Sequence, residues 1–130
     1  MSVGLLLLTH PGTASSLADL ARHLLGRMPL PLQIFELDFD VDLEAVLPAA
    51  SHALRQADQG GGVLILTDLY GASPSNLAAR LTQLGTPSRR VSGLNLPMLL
   101  RVCNYPDQTL DELARTAVTG GKTGVILDHA

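Results

Sequence analysis

The sequence predicts an α/β protein with a doubly wound, mostly parallel sheet covered by helices on both faces. Residues 3–8 and 63–66 are continuous apolar segments, which is typical of strands buried on both sides of a parallel sheet. Between such segments, apolar residues recur at the three- and four-residue spacing of amphipathic helices. Strands that alternate with helices along a chain predict a parallel sheet with helical crossovers.

The first helix is predicted to follow Pro11 and Gly12, with threonine or serine as N-cap and Gly26 as its end. Its apolar face is predicted to comprise Leu17, Leu20, Ala21, Leu24 and Leu25. Residues 32–37 alternate between apolar and polar side chains, which predicts a second strand near the edge of the sheet.

A second helix is predicted by the apolar series Leu43, Val46, Leu47, Ala50, Leu54 and Ala57. Pro48 leaves two interpretations, because proline is tolerated only in the first turn of a straight helix. Either the helix begins near Leu47, or it bends at the proline. Three glycines, residues 60–62, end this segment before the third strand.

Residues 67–76 form a predicted loop that opens a third helix, in which Ser73 can cap and Pro74 suits the first position. Residues 90–94 are predicted to form the fourth strand, and residues 95–100 a short helix.

The final part of the chain predicts one more helix and one more strand. Thr109 and Glu112 have the spacing of a capping box, which marks the start of the helix. Gly120 and Gly121 are expected to stop it, and residues 124–127 are predicted to form a short last strand.

Composition excludes several classes of protein. The chain has 130 residues, which we interpret as a single domain spanning residues 1–130. The net charge is −3 and no basic run appears, so we expect no nucleic-acid partner. Apolar runs stay well below the roughly 18 residues that a membrane span needs, so we expect no membrane insertion. No basic region precedes the first leucines, which favours a cytoplasmic protein.

Most of the reactive side chains have ordinary structural explanations. Cys103, the single cysteine, lies in an apolar stretch and is interpreted as a buried small residue. Asp38, Asp40 and Asp42 are interpreted as a solvated acidic turn, and we expect no bound metal. The remaining histidines apart from His10 are interpreted as structural or solvated: His23, His52 and His129.

His10 and Asp68 follow the first and third strands directly. In the strand order 2-1-3-4 of flavodoxin-like sheets, these two strands are neighbours, so both side chains lie at the carboxyl edge where ligands bind. A carboxylate beside one ring nitrogen fixes the tautomer of a histidine and leaves the other nitrogen free for nucleophilic attack. Gly71 permits a tight turn, and the helix that begins near Ser73 directs free N–H groups that favour anions.

Three segments of the sequence carry a family resemblance: "THPG" at residues 9–12, "DLYGASPSN" at residues 68–76 and "SGLNLPMLL" at residues 92–100. Across residues 3–127 the chain resembles the mannose-family IIA domain of the bacterial sugar phosphotransferase system. The middle segment, with the pattern D-x-x-G-x-S-P-x-N, is the most specific.

The resemblance implies a phosphocarrier in which His10 accepts a phosphoryl group from the protein HPr and passes it to a separate IIB protein. It implies that Asp68 orients the ring, and that Ser73, Gly71 and Thr9 bind the phosphoryl group. No cofactor is implied. A homodimer is implied as well, with the last strand at the interface, and the role is either sugar uptake or regulation by phosphorylation state.

Two positions depart from the family pattern. Pro11 replaces the glycine that usually follows the histidine, which removes one backbone N–H beside the ring. Ala72 stands where a second glycine is frequent.

Two other functions remain open from the residues alone. The chain could be a flavodoxin-like module that binds a small ligand without phosphotransfer, although aromatic side chains for stacking a flavin are scarce. It could also be a hydrolase that uses His10, Asp68 and Ser73 as a triad, although it lacks the G-x-S-x-G turn.

Overall fold

A computed structural model describes residues 1–129 and contains one parallel sheet. The strand order is β2-β1-β3-β4, so the doubly wound sheet of order 2-1-3-4 predicted from the sequence is confirmed. Its strands are β1 (Gly4–Thr9), β2 (Leu32–Glu36), β3 (Val63–Thr67) and β4 (Ser88–Ser92).

Helices cover both faces of this sheet. They are α1 (Thr13–Leu25), α2 (Leu43–Ala57), α3 (Ser73–Leu81), α4 (Leu96–Cys103) and α5 (Leu110–Thr123). One hydrophobic core lies under α1, α4 and α5, and a second lies under α2 and α3. In the part of the chain that the structure describes, none of these helices has the length and apolar character required to cross a bilayer.

The leucines of β1 divide between the two cores. Leu5 and Leu7 belong to the core under α1, whereas Leu6 and Leu8 belong to the core under α2. All four are fully buried, and each contributes roughly 1.5–3 kcal/mol through the hydrophobic effect. Strand β1, which leads directly to His10, is therefore packed between the two cores.

Helix α1 packs against the sheet with its alanine face, not with all of the leucines that the sequence pattern predicted. Ala14, Ala18 and Ala21 are fully buried, whereas Leu20 and Leu24 are 43% and 55% exposed. The predicted inner face was thus wrong for these two leucines. Leucines and alanines both recur at helical spacing here, and only packing decides that the narrow alanine side lies against the sheet.

Helix α2 runs through Pro48, so the interpretation in which it begins near Leu47 was wrong. It starts at Leu43, where the Asp42 carboxylate accepts a hydrogen bond of 3.1 Å from the Glu44 N–H. Pro48 therefore lies inside the second turn, where its missing N–H leaves the Glu44 carbonyl without the usual helical partner.

The glycine pair of the last helix serves close packing rather than termination. Helix α5 passes through Gly120 and Gly121 and ends at Thr123, so the predicted stop was wrong. A Cβ atom on Gly120 would lie 2.6 Å from Cβ of Arg101, which belongs to α4. The pair lets α4 and α5 approach more closely than any side chain would allow.

The predicted fifth strand at residues 124–127 does not form in this chain. Beyond α5 the segment has no regular secondary structure, so this prediction was wrong for the chain by itself. Val125, Ile126 and Leu127 are 78%, 75% and 96% exposed. A strand needs a neighbour for its backbone N–H and C=O groups, and this segment pairs with no strand among residues 1–129.

Gly4 offers a direct test of the packing of β1 against α2. A Cβ atom at this position would overlap the backbone carbonyl oxygen of Ala57, at the end of α2. We expect Gly4→Ala to lower the free energy of unfolding by about 1–3 kcal/mol, measured by urea denaturation, because neither backbone can move aside easily.

The matched control is Ser2→Ala, at an exposed position near the start of the same strand. It should change the unfolding free energy by less than about 0.5 kcal/mol. Equal stability of the two variants would show that β1 and α2 are packed less tightly than described.

Candidate functional site

The carboxyl ends of β1 and β3 bring His10 and Asp68 into contact. The two strands are parallel neighbours, with Leu8 opposite Thr67, so the residues that follow them emerge side by side. One carboxylate oxygen of Asp68, Oδ2, lies 2.8 Å from Nδ1 of His10. The same oxygen accepts the backbone N–H of His10 at 3.1 Å.

This double contact defines what the imidazole can do. When the carboxylate accepts from Nδ1–H, the other ring nitrogen, Nε2, carries the lone pair. The side chain of His10 is 31% exposed and that of Asp68 is 15% exposed. The carboxylate is therefore shielded, while the ring remains reachable from solvent. Such a ring can attack an electrophile through Nε2 while Asp68 balances the positive charge that develops.

Thr9 supports the turn into α1. Its side chain is fully buried. Its hydroxyl donates to the carbonyl of His10 at 2.8 Å and accepts the N–H of Ala14 at 3.0 Å. The buried hydroxyl therefore stabilises the turn, and its contact with a phosphoryl group stays a prediction.

The loop between β3 and α3, which begins with Asp68, forms one side of the site. Gly71 has φ +87°, a conformation that residues with a Cβ atom rarely adopt, and it turns the chain toward α3. The N-cap is Ala72, with no side-chain capping bond, so the prediction that Ser73 caps the helix was wrong. Ser73 is instead exposed as the first residue of α3, and its hydroxyl is not used as a cap.

Polar side chains beneath this loop hold it to the sheet. The Thr67 hydroxyl donates to Ser92 Oγ at 2.8 Å, and Ser92 Oγ lies 3.2 Å from Ser75 Oγ inside α3. Arg90 donates to the Ser75 carbonyl at 3.1 Å, and its guanidinium lies 5.2 Å from the ring centre of Tyr70. These bonds connect β3, β4 and α3, and they fix the start of α3 relative to the sheet.

Glu36 is a site residue that the sequence reasoning missed. Its Oε2 accepts the N–H of Ser15 at 2.8 Å and the Ser15 hydroxyl at 2.7 Å. The pKa of the Glu36 carboxyl is lowered, chiefly by the Ser15 hydroxyl, then by the N–H groups of Ser15 and Gly12. A carboxylate thus occupies the positive N-terminus of α1, which leaves the start of α3 as the place for another anion. The available signal was its position at the end of β2, on the same sheet edge as His10.

Phe39 is the second missed residue. It follows β2 in the acidic turn, and its ring centre lies 6.0 Å from that of His10 with 27° between the planes. Phe39 is 71% exposed, as are two apolar side chains of the facing loop, Leu69 at 61% and Tyr70 at 73%. The imidazole therefore has one exposed aromatic ring stacked beside it, and the loop that carries Asp68 bears two further exposed apolar side chains.

The other reactive side chains lie outside this arrangement. His23, His52 and His129 are exposed, and Asp42 serves as the cap of α2. Within residues 1–129, no three histidine, cysteine, aspartate or glutamate side chains are grouped as metal ligands. Likewise, no hydrogen bond joins Ser73 to His10 among the described residues, so the geometry gives no support to a serine triad.

A histidine whose Nδ1 is bound by a carboxylate, at the edge of a doubly wound sheet, is suited to carrying a group on its other ring nitrogen. Residues 4–118 match the model of one family, EIIA-man, described as "PTS system fructose IIA component". The chain belongs to this family of IIA components of the phosphotransferase system, which are phosphotransferases.

Two curated proteins are similar to this chain over most of its length. The mannose-specific EIIAB component of Escherichia coli K12 is 30% identical over 129 residues, which are 96% of this chain and 39% of that protein. The transcriptional regulatory protein LevR of Bacillus subtilis 168 is 31% identical over 108 residues, 79% of this chain and 11% of its own length. The chain therefore spans well under half of these longer proteins.

Solved structures agree with the fold. The mannose/sorbose-specific IIA subunit from Enterococcus faecalis superposes with a TM-score of 0.87 at 25% identity, covering 100% of this chain and 97% of that one. A IIA protein associated with a fucose utilization operon of Streptococcus pneumoniae has the same fold. Its TM-score is 0.79 at 22% identity, with 98% and 96% of the two chains covered.

Cys103 provides a test of the core under α1, α4 and α5. The residue is 4% exposed, and burial raises the pKa of its thiol from 9.0 to about 11. Only the thiolate reacts with disulfide reagents, and a pKa raised by two units lowers the thiolate fraction about 100-fold near pH 8. We expect labelling by Ellman's reagent to be at least about 100-fold slower in the folded protein than in the urea-unfolded chain. Comparable rates in the two states would contradict the described burial.

Proposed function

We propose that this chain accepts a phosphoryl group on Nε2 of His10 from phospho-HPr and passes it to a IIB partner. The single observation that carries the proposal is the contact between Asp68 and Nδ1 of His10 at 2.8 Å, on a ring that remains exposed. Membership of the EIIA-man family supports it, because the components of this system exchange phosphoryl groups.

Besides the donor and the IIB acceptor, the transfer uses only groups that this chain holds. The Nε2 lone pair attacks the phosphorus atom of the donor's phosphohistidine, the donor's N–P bond breaks, and its electron pair returns to the donor ring. Asp68 keeps the proton on Nδ1 and stabilises the positive charge of the phosphorylated imidazole. In the second step the IIB nucleophile attacks the same phosphorus atom, and Nε2 leaves as a neutral ring nitrogen.

The start of α3 is the proposed phosphoryl site. The first N–H groups of a helix have no intrahelical partner and attract anions. Gly71 opens the backbone at this point and the hydroxyl of Ser73 is exposed there, so both residues belong to the proposed site. The same groups bind the charge that spreads over the phosphoryl oxygens during transfer.

The proposed setting is cytoplasmic, with the chain acting as one IIA unit over residues 1–130. The transferred phosphoryl group is the cargo, and the proposed transfer requires neither a metal nor an organic cofactor.

His10→Ala tests the proposal. After incubation with enzyme I, HPr and phosphoenolpyruvate, intact-mass analysis should show one acid-labile phosphoryl adduct on the wild type and none on the variant. His23→Ala is the matched control, because it removes an exposed histidine of α1 and should leave the adduct unchanged. An adduct that persists in His10→Ala, or a wild type that stays unlabelled beside phosphorylated HPr, would refute the proposal.

Asp68→Asn tests the role of the carboxylate in the same assay. A hydrogen bond to a charged group contributes about 1.5–3 kcal/mol, so its loss should slow transfer at least about tenfold. The adduct should still form on His10, because the nucleophile remains. Transfer at the wild-type rate would remove Asp68 from the mechanism.

The proposed oligomer is a homodimer built on the open edge of the sheet. Strand β4 is one of the two edge strands, and a cleft of about 500 Å³ beside it is lined by residues that include Arg90, Val91 and Val118. Residues 125–127 are apolar and exposed. Pairing of this segment with β4 of a second copy would satisfy both the open strand edge and the exposed side chains.

Ile126→Asp tests this interface. We expect light scattering after size exclusion to report a dimer for the wild type and a monomer for the variant, since a buried carboxylate would be unpaired there. Leu84→Asp, at an exposed leucine that does not line the cleft, should remain dimeric. A monomeric wild type, or a variant that still dimerises, would contradict this arrangement.

A further inference from the structure

Phe39 is an exposed aromatic residue with a specific partner. It is 71% exposed, so burial of apolar surface does not account for its position. Its ring nevertheless lies 6.0 Å from the His10 ring centre at 27°, which is the offset-stacked geometry that aromatic pairs prefer.

The backbone places Phe39 over the imidazole. The N–H of Leu37 donates to the Thr9 carbonyl at 2.8 Å, and the Leu37 side chain is only 2% exposed. His10 is the residue after Thr9, and Phe39 lies two residues after Leu37. One buried hydrogen bond therefore ties the segment that bears the phenyl ring to the segment that bears the imidazole.

Asp40 fixes the direction of the turn. Among residues 1–129 it is the one residue other than glycine with positive φ, at 59°. Aspartate tolerates this left-handed conformation better than most residues, and after it the chain returns to the second core through Val41. The turn is thus defined on both sides of Phe39 by backbone geometry and packing.

We propose that Phe39 is a positioning residue for phosphoryl transfer, a role that rests on the proposed function. Asp68 constrains the His10 ring through Nδ1, and the stacked phenyl ring constrains the plane of the imidazole. Together they restrict the direction in which Nε2 points. Rates of group transfer depend strongly on such alignment of the reacting atoms.

The closest competing role for Phe39 is a docking contact for protein donors. The two roles are separable with a small donor. Phosphoramidate carries a phosphoryl group on nitrogen and has no protein surface: Nε2 attacks its phosphorus atom, the P–N bond breaks, and ammonia leaves after taking up a proton. A positioning residue changes this reaction, whereas a docking contact does not.

The experiment compares wild type, Phe39→Ala, Phe39→Tyr and the control Tyr105→Ala, which removes an exposed aromatic ring from the loop between α4 and α5. Phosphorylation of His10 by phosphoramidate is followed by peptide mapping. The ring protons of His10 are followed by NMR in the unphosphorylated protein. Phe39 is largely exposed, so its replacement should leave the fold intact.

We expect Phe39→Ala to slow labelling by phosphoramidate roughly 3- to 10-fold, which is the range of one aromatic pair. The stacked phenyl ring should shift the ring protons of His10 upfield in the wild type, and Phe39→Ala should abolish that shift. Phe39→Tyr should retain the wild-type labelling rate and the upfield shift, and Tyr105→Ala should match the wild type in both. With phospho-HPr as donor, the maximal rate should fall in Phe39→Ala rather than only the affinity for the donor.

Wild-type labelling by phosphoramidate in Phe39→Ala, with only a raised KM for phospho-HPr, would overturn the positioning role. Absence of the ring-current shift in the wild type would also overturn it. Failure of phospho-HPr to label the wild type would instead refute the proposed function, and the NMR comparison would still decide whether the stack exists.

Discussion

The carboxylate of Asp68 holds one residue by two hydrogen bonds, and the whole carboxyl edge of the sheet is arranged around that contact. Oδ2 of Asp68 binds both the backbone N–H and the ring Nδ1 of His10. The contact requires two parallel strands that end at the same level. It also requires a core firm enough to keep them there, which the fully buried leucines of β1 and the apolar residues of β3 supply.

The electrostatic potential around His10 depends on which helix N-termini already bind a carboxylate of the protein. Glu36 binds the start of α1 through Ser15, so that positive end is neutralised within the protein. The start of α3 has no side-chain cap and begins next to a glycine with positive φ. In the proposed transfer, the incoming phosphoryl group therefore binds at the start of α3. Glu36, on β2, thus decides which of the two helix N-termini stays available for an anion, and it lies on the other side of β1 from Asp68.

Several features predicted from local pattern failed where packing between elements decided the outcome. Leu20 and Leu24 face solvent because α1 packs through alanines. Gly120 and Gly121 continue a helix instead of ending it, because α4 lies too close for any side chain. The segment at residues 124–127 has strand-like composition, but it pairs with no strand among the described residues. In each case the local sequence is compatible with two structures, and a distant neighbour selects one of them.

By itself, the sequence determined the alternation of strands and helices, the parallel sheet and the placement of His10 and Asp68 at its carboxyl edge. Apolar runs and helical spacing are local properties, and the order of neighbouring strands follows from the rules of crossover connections. Only the tertiary structure decided that Phe39 stacks on the imidazole, that Glu36 fills the first helix terminus and that Thr9 is buried in the turn. These are contacts between residues far apart in sequence or at loop ends. They depend on backbone direction and on distances of a few ångströms, which no pattern of residue types along the chain encodes.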